Sequence, residues 1–86
     1  MLKQTTFTDN GTFGPFTHEG GPLIVSGVGT YGGGTLAVRV DHGAGFTVEE
    51  SFTTNRSTAI TAVGGSRIEL VLSGATSPNL PVCIRS

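Results

Sequence analysis

The chain never settles into a helical rhythm. No stretch of 11 residues free of Gly and Pro carries apolar side chains at i, i+3, i+4 and i+7. Short apolar runs alternate with polar residues instead, and turn signals cut them every 6–12 positions. Helix formers such as Ala, Glu, Lys and Gln are scarce, whereas Thr, Val, Ile and Phe suit a pleated, half-buried surface. The pattern predicts an all-β fold. It is a single antiparallel β-sandwich or jelly-roll-like domain of seven to eight short strands over residues 1–86.

The clearest alternation is Leu36-Ala37-Val38-Arg39-Val40-Asp41. Leu36, Val38 and Val40 take one face; Arg39 and Asp41 take the other. His42-Gly43-Ala44-Gly45 supplies a turn, and Phe46 to Phe52 returns, so the two runs read as a hairpin. A second hairpin is expected from Thr58–Val63 and Ser66–Leu72 around Gly64-Gly65, a two-residue turn signal. Ile68, Leu70 and Leu72 point inward there, and Val71 lies opposite them. Leu80–Arg85 forms the last strand. Pro81 lacks an N–H donor, which predicts a sheet edge or a subunit boundary for that strand. Leu2–Thr8, Thr12–Thr17 and Pro22–Gly27 complete the set, the second interrupted at Gly14-Pro15.

One strand carries a conflict. Glu50 falls on the face of Phe46, Val48 and Phe52 if the strand is unbroken, and burying an unpaired carboxylate is costly. A bulge shifting the register resolves this; so does a cation, within the chain or across a subunit interface.

Charge and size narrow the function. Only 13% of the 86 residues are charged, against about 25% in an average globular protein, and the net charge is −1. Lys3, Arg39, Arg56, Arg67 and Arg85 form no cluster, so no nucleic-acid partner is expected. No run of 18 apolar residues and no apolar leader segment is present, so no membrane partner is expected either. A domain this short buries only about 60–65% of its unfolded surface, and such domains usually need a staple or a partner. Cys83 is the only cysteine, so no internal disulfide forms, and His18, His42 and Cys83 lack metal-ligand spacing. Elimination leaves self-assembly, and a homo-oligomer is expected.

Chemical motifs are weak. Gly27-Val28-Gly29-Thr30-Tyr31-Gly32 matches G-x-G-x-x-G, but a strand follows where a dinucleotide site needs a helix. It reads better as a glycine-rich loop anchored by Tyr31, with room for another backbone to approach. Asn10-Gly11-Thr12 and Asn55-Arg56-Ser57 match glycosylation sequons but read as turns. Asp41 and His42 are neighbours and diverge, as do Glu49 and Glu50, so neither pair builds a catalytic site. No enzyme activity and no cofactor are expected.

Gly11-Thr12-Phe13-Gly14-Pro15-Phe16, then Gly20-Gly21 and Val28-Gly29-Thr30-Tyr31-Gly32-Gly33-Gly34-Thr35-Leu36, resemble small β-rich virion structural proteins of tailed bacteriophages. So does Leu70-Val71-Leu72-Ser73-Gly74-Ala75-Thr76-Ser77-Pro78 near the end. The resemblance implies a capsid decoration or cement protein on the outer surface of a phage head. It also implies a trimer bound to the major capsid protein or another virion component, after assembly in the host cytoplasm. A head- or tail-fibre element binding a receptor or glycan is the alternative, and a cellular β-sandwich adaptor is a third reading. Candidate contact residues are Phe13, Phe16, Tyr31, Glu50, Val71 and Pro81.

Overall fold

A computed structural model describes all 86 residues. Eight strands form: β1 (Leu2–Phe7), β2 (Gly11–Thr17), β3 (Gly21–Gly27), β4 (Thr35–Asp41), β5 (Phe46–Phe52), β6 (Arg56–Ala62), β7 (Arg67–Ser73) and β8 (Leu80–Arg85). Sheet I has the order β1-β8-β3-β6 and sheet II the order β2-β7-β4-β5, every pairing antiparallel. Every connection crosses from one sheet to the other except β4–β5, the one hairpin. The fold is a jelly roll.

The alternating strands pack their apolar rows between the sheets. Val25, Leu80, Val82 and Ile84 of sheet I meet Leu36, Val38, Leu70 and Leu72 of sheet II in a core of 15 buried apolar residues. Burying each such side chain stabilises the fold by about 1.5–3 kcal/mol. Ile68, Leu70 and Leu72 point inward and Arg67 outward, as the alternation predicts.

Two local expectations are corrected, and the bulge anticipated in the fifth strand is found. First, Gly64-Gly65 does not close a hairpin, because β6 pairs with β3 and β7 pairs with β2 and β4. The two glycines turn the chain from one sheet to the other at a crowded corner. There the Gly65 amide donates to the His18 carbonyl at 2.8 Å, and the His18 amide donates to the Ser66 carbonyl at 2.7 Å. A Cβ on Gly64 would sit 2.7 Å from the Glu19 carbonyl oxygen. The His18 ring is buried at the same corner, with Nε2 2.9 Å from the Gly21 carbonyl. A carbonyl only accepts, so Nε2 carries the proton. Nδ1 and the Ser66 hydroxyl are buried without partners.

Second, β8 is not an edge strand; it runs between β1 and β3. Pro81 is tolerated because its carbonyl, which accepts from the Val28 amide at 3.2 Å, faces β3 beyond the end of that ladder at Gly27–Val82. The missing N–H would point the same way, to a loop and not to a ladder partner.

The anticipated bulge is present in β5: the register shifts, so that Glu50 lies opposite Val38 and Val48 opposite Arg39. The bulge at Glu49 turns Phe46 and Val48 to the outer face and leaves Phe52 in the core. Glu50 then reaches Arg56 of the same chain at 2.6 Å, so no neighbouring subunit is needed to pair it.

Candidate functional site

Crossover topology gathers four loops at one end of the sandwich: 8–10, 28–34, 53–55 and 74–79. Side chains stitch them together. Asn10 donates from Nδ2 to the Ala75 carbonyl at 3.1 Å and accepts the Ala75 amide at 2.9 Å. Thr30 and Asn79 exchange backbone bonds of 2.8 and 3.0 Å, and the Thr76 amide donates to the Gly32 carbonyl at 2.9 Å. The Asn55 Oδ1 accepts the Gly29 amide at 2.9 Å. Both sequon asparagines thus serve as turn residues that tie loops together.

Tyr31 anchors the longest loop. Its ring is buried, and its hydroxyl donates to the Gly27 carbonyl at 2.7 Å. Burial pushes the phenol pKa upward. The next two residues, Gly32 (φ +63°) and Gly33 (φ +75°), form the centre of a turn closed by the Gly34 amide on the Tyr31 carbonyl at 3.0 Å. Positive φ at both positions is a conformation that glycine adopts without strain. Between this turn and the 53–55 loop lies an open cleft of about 450 Å³. Gly29, Gly32, Gly33, Thr53, Thr54 and Asn55 line it around the Tyr31 ring, and none of them is ionisable.

The second surface is the outer face of sheet I. Register places Leu2, Arg85, Ile24 and Ala59 side by side in one row across all four strands. Gln4, Cys83, Ser26 and Ser57 form the next row, with the two serine hydroxyls 2.9 Å apart. Leu2 (57%) and Ile24 (46%) are far more exposed than the core residues beside them. A shallow depression of about 300 Å³ opens by Pro22, Ile24, Ala59 and Arg85. Arg85, the face's one charged residue among these rows, makes no ion pair.

The outer face of sheet II differs. Arg39 donates to Glu69 at 2.8 Å and Arg67 to Asp41 at 2.8 Å, while both guanidinium groups lie over the Phe46 ring, 5.4 and 5.3 Å from its centre. The Arg67 hydrogen bond, reinforced by the Gly43 and Gly45 amides, lowers the Asp41 pKa to about 2. His42 turns the other way, toward Glu49 at 3.1 Å.

The six candidate contact residues are not brought together. Phe13 and Phe16 stack edge to face 4.9 Å apart at the β1/β2 rim, half-buried against the core, with the Lys3 ammonium 5.2 Å from the Phe16 ring centre. Tyr31 is spent inside the loop end and Glu50 on Arg56. Val71 is half-buried on the outer face of sheet II, between Thr12 and Ala37. Pro81 alone is exposed on the outer face of sheet I. The residues missed are Leu2, Ile24, Ala59 and Arg85, together with Asn55 and its two threonines. Leu23-Ile24-Val25 held a signal: an apolar residue between two inward ones must face outward.

No known family profile matches the chain, and comparison with curated proteins finds no match. Solved structures do share its fold. The Drosophila melanogaster CENP-C cupin domain superposes with a TM-score of 0.60 at 16% identity, covering 100% of this chain and 60% of that one. This chain therefore spans less than two thirds of the CENP-C domain. PirA gives a TM-score of 0.59 at 14% identity, covering 99% of this chain and 93% of that one. The Yersinia pseudotuberculosis-derived mitogen gives 0.59 at 14% identity, covering 100% and 86%. At these identities the likeness extends to the fold alone.

Proposed function

We propose that the chain is a non-enzymatic structural component of a phage particle. In this reading it docks as an oligomer, a trimer by the implied resemblance, on the outer surface of the head. The outer face of sheet I makes the contact. The observation that carries the reading is the row Leu2–Arg85–Ile24–Ala59, in which exposed apolar side chains flank a single unpaired cation. Around that row the face presents small neutral side chains. Such a surface loses little on desolvation and docks by shape, with Arg85 setting register against one acidic group of the shell. Repetition over a shell multiplies many weak contacts by avidity.

The sheet II face suits solvent better, because its charges are already paired within the chain. The test combines native mass spectrometry with sedimentation of the chain in the presence of shells assembled from the major capsid protein of the same genome. An oligomer that sediments with shells is expected. Ile24→Lys should keep its far-UV circular dichroism and remain in the supernatant. A monomer that ignores the shells overturns the proposal.

A further inference from the structure

The loop-end cleft is a separate surface from the docking face. We propose that it binds a neutral saccharide unit, held by the Thr53 and Thr54 hydroxyls, the Asn55 carboxamide and the amides of the Tyr31–Gly34 turn. Its volume, about 450 Å³, lies in the range of small-molecule sites, about 300–1,000 Å³.

The fold leaves hydrogen-bonding capacity unused here. Asn55 spends its Oδ1 on the Gly29 amide, which directs the carboxamide and leaves both Nδ2 protons free. The Gly32 and Gly33 amides donate to no backbone carbonyl, and neither do those of Thr53 and Thr54. Each threonine hydroxyl both donates and accepts. A sugar ring carries several hydroxyl groups with the same dual character, so it can satisfy this mixed set at once.

The cleft is built before any ligand arrives. Tyr31 is locked to Gly27, Gly32 to Thr76 and Gly29 to Asn55. Little ordering is therefore left to oppose binding. Charge selects the ligand class. No carboxylate, ammonium, guanidinium or imidazole group lines the cleft, and the adjacent cation, Arg56, is held by Glu50. The turn amides alone would favour an anion, but an anion would find no cation to offset its desolvation. A neutral polyhydroxyl ligand avoids that penalty. So open a site holds one sugar unit weakly, and repetition on a multivalent particle raises that to useful avidity.

The experiment is an NMR titration of the ¹⁵N-labelled chain with methyl glycosides of mannose, galactose, fucose and N-acetylglucosamine, and in parallel with sulfate and phosphate. Saturable shifts with at least one glycoside are expected at Gly32, Gly33 and the Asn55 side chain. The Thr53→Val/Thr54→Val variant keeps the side-chain shapes. It should keep the rest of the spectrum while weakening that binding about fivefold or more. Three outcomes overturn the proposal: no saturable shift with any glycoside, saturation by sulfate or phosphate in place of the sugars, or sugar binding unchanged in the double valine variant. Shell docking can fail without touching this result, because the two surfaces share no residue.

Discussion

The Glu50 carboxylate accepts a hydrogen bond from the Arg56 guanidinium at 2.6 Å across the open edge between the two sheets. Glu50 belongs to β5 and Arg56 to β6, the outermost strands on that side. The same guanidinium lies 5.3 Å from the centre of the Phe52 ring, so it covers the core at the rim. Both side chains are partly exposed, at 27% and 47%, and solvent screens the pair. A double-mutant cycle with Glu50→Gln and Arg56→Gln should give a coupling of about 0.5 kcal/mol, read by urea denaturation. Raised salt should reduce it.

Tyr31→Phe removes the one hydrogen bond that holds the glycine-rich loop to β3. It removes a buried hydrogen bond to the Gly27 carbonyl, which lies inside the sandwich. The expected loss is about 1 kcal/mol. Urea unfolding should show a lower midpoint with an unchanged slope. An unchanged midpoint would mean that the hydroxyl finds no net stabilisation at Gly27.

Acid should weaken the β4–β5 hairpin. The Asp41 carboxyl titrates at about 2 when folded and at about 3.9 in an unfolded chain. A depressed acid contributes stability that is full above the unfolded value and is lost as pH falls through the folded one. The loss should therefore run from about pH 4 down to about pH 2. Asp41→Asn should flatten the stability profile in that window and leave its shape above pH 5 as in the parent. Thermal melts at stepped pH check this, and parallel profiles for the two chains would contradict it.

Two glycines of equal appearance in the sequence should respond oppositely to alanine. Gly64→Ala drives a methyl group to 2.7 Å from the Glu19 carbonyl oxygen. The sheet-to-sheet corner must shift, at a cost of more than about 1 kcal/mol. Gly11 has open space around it and an ordinary backbone conformation. Gly11→Ala should be neutral or stabilise by up to about 1 kcal/mol, through a less flexible unfolded chain. Denaturation midpoints of the two variants decide it.

Alternation carries the strands in this sequence, and Leu36–Asp41 with Phe46–Phe52 shows how far it reaches. Period two reports which side chains of Leu36–Asp41 face inward, the bulge at Glu49 breaks it within Phe46–Phe52, and the turn at Gly43–Gly45 joins two strands of one sheet. The same two signals mislead at Gly64-Gly65. Two apolar-alternating runs around a double glycine look alike whether they pair or face each other across a core, because each buries the same residues. Only the long-range partners β3 and β2 distinguish the cases. Pro81 misleads for a related reason. A proline requires freedom from one hydrogen bond, and a central strand provides that wherever its neighbour's ladder has ended. The loop-end cleft was the least legible part. Asn55 lies far in sequence from the Gly29 amide it holds, and no local pattern announces that contact.

The position of β8 bears on how the chain assembles in time. It lies between β1 and β3, pairing Leu2 with Arg85 and Val25 with Ile84. Until that final strand is inserted, sheet I has no centre, and β1 has no partner at all. Folding must therefore close nearly the whole chain into one loop before half of the barrel-like wall exists. Only β4–β5 is local enough to form early. Such non-local pairing favours slow, late-committing folding, in milliseconds to seconds for domains of this kind. A ribosome-bound chain stalled before residue 80 should hold a hairpin and little else, and the two sheets should appear together in one step once β8 is free.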